Sequence, residues 1–188
     1  MGLRVPAFDR DQGNILQMDL GKHLTQKKSS IVKAWFEKVA STYPIDTAQF
    51  IKNQRDPFAN PVGQNSLKSL DAMFDLIVVG FEREAARPLV DPIIRIRAIQ
   101  DFTPAQAVRF IFDLKTIIRQ SVPADQKGAP GSKALLLLDE RIDELGLLAF
   151  DIFMQCREKI YELKANEMRE RTYSAFSRAG LIKEPDDV

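Results

Sequence analysis

Apolar residues recur by threes and fours along almost the whole chain, and this period constrains the fold more than any other feature. Leu67, Leu70, Phe74, Ile77 and Phe81 step 3-4-3-4 and define one face of a helix. A half-buried strand would alternate instead. The stretch "DLIVVGF" is rich in β-formers, yet it stays in phase with that stripe. No segment reads as a strand. The chain is expected to be all-α: a single helical domain with five long helices, one or two short ones, and a long C-terminal helix.

Local stop and start signals divide this pattern. Leu24, Ile31, Val32, Trp35, Phe36 and Val39 form a first helix that ends by Tyr43-Pro44. A short helix follows, with Asp46 as N-cap and Gln49 three residues on. "RDPFANPVG" is a loop. Asn60-Pro61, Asp91-Pro92 and Thr103-Pro104 each place a capping residue before a proline at the first helical position. Gln106 completes a capping box in the third case. The short helix from Pro92 to about Asp101 would bury Ile93 and Ile96, with Ile94 and Ile99 beside them. The helix after Thr103 is apolar on most sides (Val108, Phe110, Ile111, Phe112, Leu114, Ile117, Ile118) and is expected at the centre. "VPADQKGAPGS", residues 122–132, reads as a flexible loop. From about Leu135 the last helix steps through Leu138, Ile142, Leu145, Ala149, Ile152, Cys156 and Leu163, missing one turn at Lys159. It thins after Asn166 and stops at Gly180. The tail "KEPDDV" is polar.

The residue inventory excludes most chemistry. The net charge of +1 carries no basic excess for nucleic acid. No apolar run reaches the length of a membrane span, and "MGLRVPAFDRDQGN" has no apolar signal core, so a cytoplasmic protein without membrane insertion is expected. There is one cysteine and one histidine, so multi-histidine zinc sites and thiol clusters are out. None of the nine glycines builds a phosphate loop, and neither G-x-S-x-G nor H-E-x-x-H occurs. Asp139/Asp143 and Glu140/Glu144 are spaced i,i+4, but the Glu-x-x-His unit of helical di-metal sites is missing. No catalytic residue, cofactor or metal is expected, and hence no enzyme. His23 is expected to be exposed, and Cys156 to be a small buried hydrophobe.

Arg95 and Arg97 interrupt an apolar stretch and are the sharper candidates. Asp91 lies four before Arg95, and Asp101 four after Arg97, so each has an ion-pair partner at helical spacing. The spacing favours two exposed, paired arginines. An anion or carboxylate contact is the alternative, although residues two apart on a helix point to nearly opposite sides. As a functional pair they read best as a partner-contact surface.

Four segments together resemble one family: Trp35-Phe36 in the first helix, "DPFANPVG" (56–63), "IIRIRAIQDFTPAQAVRFIFDLKTIIR" (93–119) and "RIDELGLLAFDIFMQCREKIYEL" (141–163). The chain is similar to the RsbRD-type N-terminal domain of RsbT co-antagonist proteins, the sensory subunits of bacterial stressosomes. The likeness spans residues 20–170, leaving 1–19 as an extension and 171–188 as helix end and tail. It implies a helical sensor or scaffold, globin-like without haem, that dimerises beside a long C-terminal helix. The dimer interface is expected on Ile142, Leu145, Ala149, Ile152, Cys156 and Leu163. The chain ends at Val188 without the STAS domain that the family's kinase phosphorylates, so the phosphorelay is not carried over. The implied function is a non-enzymatic, stressosome-type input module with an unidentified protein partner. Two alternatives stand beside it: a sensor holding an apolar molecule among Phe74, Phe110, Phe112, Phe150 and Phe153, and an accessory factor of a respiratory redox complex.

Overall fold

A computed structural model describes residues 19–54, 56, 59–123 and 129–181. Among these there are six helices and no strand: α1 (Asp19–Ala40), α2 (Ile45–Asn53), α3 (Pro61–Val79), α4 (Arg83–Ile99), α5 (Pro104–Ser121) and α6 (Ala129–Arg178). The long helices close a ring in the order α1–α3–α4–α6–α5, with α5 returning to α1, while α2 rests on α1. The ring encloses one core, dominated by Trp35, Phe74, Phe110, Phe153 and the aliphatic residues around them. The Trp35 indole N–H donates to the Phe110 carbonyl at 2.7 Å inside that core, so its one polar atom is satisfied where it is buried.

Two of the three proline signals act as caps. The Asn60 side chain accepts from the Gly63 amide at 2.9 Å, and its own amide donates to the Ile51 and Gln54 carbonyls. It therefore starts α3 and closes the end of α2 together. A Cβ on Gly63 would lie 2.3 Å from the Asn60 Nδ2, which is why this turn takes glycine. Thr103 and Gln106 form the expected capping box at the start of α5. α6 ends in a Schellman motif: Gly180 adopts φ 68°, its amide reaches the Ser177 carbonyl, and Leu181 reaches Phe176.

The third proline signal fails. Asp91 caps nothing, because α4 runs unbroken from Arg83 with Pro88 and Pro92 inside it. Each proline removes one helical hydrogen bond. Both lie four apart on the exposed side of α4, in line with Glu84, Arg95 and Ile99, where the freed carbonyls meet water. Ile99 is thus 77% exposed rather than packed. Asp46 also fails as a cap. It lies in the first turn of α2, which starts after Pro44 without a side-chain cap. Of the expected 122–132 loop, residues 129–132 already belong to α6, and 124–128 lie outside the described residues. Phe81 falls just beyond α3, which ends at Val79 with Gly80 as its C-cap, and is half-buried.

Candidate functional site

Once α4 is read from Arg83, its core face is Ala86, Val90, Ile93, Ile94, Arg97 and Ala98. Arg97 occupies a core position in perfect helical phase with its apolar neighbours, and it is 0% exposed. The expected pair with Asp101 does not form. Instead Nη1 donates to the Gln106 and Ala107 carbonyls at 3.3 and 3.2 Å, and Nη2 to the Val39 carbonyl at 3.3 Å and the Thr42 hydroxyl at 2.9 Å. The rings of Phe110, Phe102 and Tyr43 surround its Cζ at 4.7, 5.0 and 5.6 Å. No carboxylate faces it among the described residues, and its Nε–H has no acceptor. Burial lowers its pKa, and the contact with Tyr43 only partly restores it.

Arg95 behaves as the spacing implies. It is exposed and paired with Asp91 at 2.5 Å, and that hydrogen bond raises its pKa. The two arginines therefore form no joint surface: Arg95 remains available to a partner, and Arg97 does not.

Sequence reading missed Arg141 as a structural residue. It is 2% exposed on the inner side of α6, and its Nη1 donates to the Ile77 and Val78 carbonyls at 2.7 and 3.1 Å. Burial lowers its pKa as well. Three of the four acids in the α6 pairs are engaged across helices: Asp143 with Lys115 at 2.6 Å, Asp139 with Arg119, and Glu144 with Arg83 at 3.9 Å. No group of three His, Cys, Asp or Glu side chains is placed to hold a metal among the described residues. His23 is half-buried rather than exposed, with Nε2 at 2.9 Å from the Ser121 carbonyl. Cys156 is half-buried rather than in the core.

The stripe expected to form a dimer interface divides at the edge of the domain. Ile142, Leu145, Ala149 and Ile152 are at most 1% exposed, because α4 and α5 of the same chain cover them. Leu163 is 58% exposed, and every described residue from Tyr161 to Leu181 is exposed. The eighteen residues from Tyr161 to the end of α6 thus project as a bare helix about 27 Å long. A second apolar row runs along the opposite side of α6: Leu147, Phe150, Tyr161, Met168 and Phe176, between 42% and 69% exposed. At about 100° per residue these five fall within roughly 80° of arc.

Two grooves open on the surface. One, of about 610 Å³, lies between the α1–α2 turn and the α4–α5 turn, and is lined by Thr42, Tyr43, Pro44, Thr47, Gln100, Asp101, Phe102, Gln106 and Arg109. The other, of about 850 Å³, runs along α1 beside α2 and α3, and carries Lys28, Lys33, Lys52 and Lys68 with Glu37 and Asp71. Neither touches the phenylalanines proposed as an internal ligand cage. Of those, Phe74, Phe110 and Phe153 are packed in the core, and Phe150 is 42% exposed on the outer row.

The model of the RsbT co-antagonist protein rsbRD N-terminal domain matches residues 29–168. The chain belongs to this family. The match begins within α1 and stops within the bare part of α6, so it takes in part of every helix of the ring and all of α2 to α5. No curated protein and no solved structure matches the chain. No helix among the described residues is long and apolar enough to cross a membrane.

Proposed function

We propose that this RsbRD N-terminal domain is a non-enzymatic regulatory or scaffolding module of stressosome-type signalling. It acts through protein–protein contacts and pairs with a second copy of itself along α6. The observation that carries this reading is the outer row of α6. Five large apolar side chains share one narrow face, and the row continues onto a helix with nothing packed on it. A helix of that length is marginal alone in water and gains its stability from packing. An apolar face of this kind is the usual mark of an interface. The interface therefore moves from the inner stripe to the outer row, with Leu163 at the point where the inner stripe emerges.

Light scattering at micromolar concentration tests the proposal. The expected result is a dimer that M168E weakens at least about tenfold while leaving helicity unchanged, since Met168 is 69% exposed on the bare part of α6. A clean monomer for the unmodified chain refutes the pairing.

A further inference from the structure

We propose that the groove between the α1–α2 and α4–α5 turns binds a small amphipathic carboxylic acid, a ligand with an apolar or aromatic body and one negative charge. This site is separate from the α6 face and does not depend on the pairing proposed above.

At about 610 Å³ the groove falls within the range of small-molecule sites. Its apolar wall is Tyr43, Pro44 and Phe102, with Tyr43 and Phe102 in edge contact at 5.6 Å between centroids. Thr42, Thr47 and Gln106 add hydroxyl and amide groups along the same lining.

Behind the two rings lies the Arg97 guanidinium, fully buried, with no carboxylate partner among the described residues and an unused Nε–H. A buried cation without a counter-ion biases the adjoining space toward an anion. At the rim, the Arg109 side chain is 73% exposed and, among the described residues, its one ion pair is with Asp113 at 3.3 Å, an i,i+4 contact worth little. It can exchange that contact for a ligand carboxylate at small cost and meet it with a planar fork.

Asp101 sets the limit. It is the one acid of the lining, and it opposes a second negative charge. With a single arginine at the rim and no lysine, the site suits a monoanion and rejects a phosphate dianion.

The test uses the full chain labelled with ¹⁵N, titrated separately with 4-phenylbutyrate, indole-3-propionate and the primary amide of each. Saturable amide shifts confined to Thr42–Thr47, Gln100–Phe102 and Gln106–Arg109 are expected for the acids, with the amides weaker by about tenfold. R109Q should bring acid and amide together, whereas R171Q, at the far end of α6, should not. R109Q alters only an exposed side chain, so the variant folds. Equal affinity for acid and amide, shifts elsewhere, or no saturable shift up to about 10 mM overturns the proposal. So does a shift of the groove residues that follows protein concentration without ligand, which would make the occupant a second copy.

Discussion

Replacing Arg97 discriminates between two accounts of a buried arginine. In one, its four hydrogen bonds and three ring contacts hold the fold together. In the other, it fills volume while its charge is a net burden. The geometry favours the second. Every carbonyl it reaches has another donor, and the Thr42 hydroxyl keeps a partner by donating: the Val39 carbonyl also receives the Thr42 amide at 3.3 Å and the Thr42 hydroxyl at 2.6 Å, and the Gln106 and Ala107 carbonyls lie inside α5. Removing the guanidinium therefore orphans none of them. Most of what these contacts gain only replaces hydrogen bonds the guanidinium would make to water, whereas an ion without a counter-charge still carries a desolvation penalty of several kcal/mol.

The lowered pKa gives the same sign. A base whose folded pKa lies below its unfolded value destabilises the fold while protonated, and the burden lifts only as pH rises through the folded pKa. At neutral pH it is present in full.

Three variants follow. R97A should cost about 3–5 kcal/mol, because it opens a cavity among Tyr43, Phe102 and Phe110. R97M keeps the volume and discards the charge, so it should fall within about 1.5 kcal/mol of the natural chain. R97K keeps the charge and loses the planar fork, so it should be less stable than R97M. Urea unfolding followed by circular dichroism, with a constant m-value, measures all three. R97M as costly as R97A, or R97K more stable than R97M, would show that the polar contacts dominate and the reasoning is wrong.

Two further substitutions probe local geometry, with stability as the readout. N60A should cost about 2–3 kcal/mol, more than an ordinary N-cap, because one buried side chain serves the start of α3 and the end of α2; a loss below about 1 kcal/mol would mean the α2 contacts contribute nothing. G146A should destabilise by about 1–2 kcal/mol despite its better helix propensity, since the new Cβ would sit 2.3 Å from Phe112 Cζ; in an F112A background the same change should become stabilising, and an unchanged sign in the double-mutant cycle would refute the contact.

The fold class and most of the core were legible from periodicity alone, and the Asn60 and Thr103 caps from residue type and spacing. The α4 boundary was not. Prolines at 88 and 92 argue locally for a helix start, and only the tertiary arrangement shows that both lie on the wet side. That one misplacement carried the error at Arg97: a helix begun at Pro92 is too short to reveal its phase, whereas Ala86, Val90, Ile93 and Ile94 put position 97 on the core side. The signal was present as i+4 from Ile93 and i+3 from Ile94, and the charge of the residue overrode it. On α6 the inner stripe was found and the outer row missed, because a 3-4 count through Ile142 and Leu145 selects one face. Phe150, Tyr161 and Met168 fall between those counts.

A common device explains why so many basic side chains point inward. The carbonyls that end each helix need donors, and a cation there also meets the negative pole of the helix. Here the donors come from neighbouring helices. Arg97 of α4 reaches the last turn of α1 at Val39, Arg141 of α6 reaches α3 at Ile77 and Val78, Arg157 of α6 reaches α4 at Ala98, and His23 of α1 reaches α5 at Ser121. Asn60 does the same for α2, and the projecting end of α6 closes on itself, at Gly180. Such caps join elements distant in sequence, from 9 residues for Asn60 to 98 for His23, so no local motif announces them. They also explain how two buried arginines persist without acids, since helix ends supply part of the missing counter-charge. α6 contributes two of the five cross-links, Arg141 from its inner side and Arg157 from beside the outer row, and adds the apolar contacts of Ile142 to Ile152. The inner side of this helix is thereby committed within the chain, and what it can offer to another molecule is its outer row and its bare end.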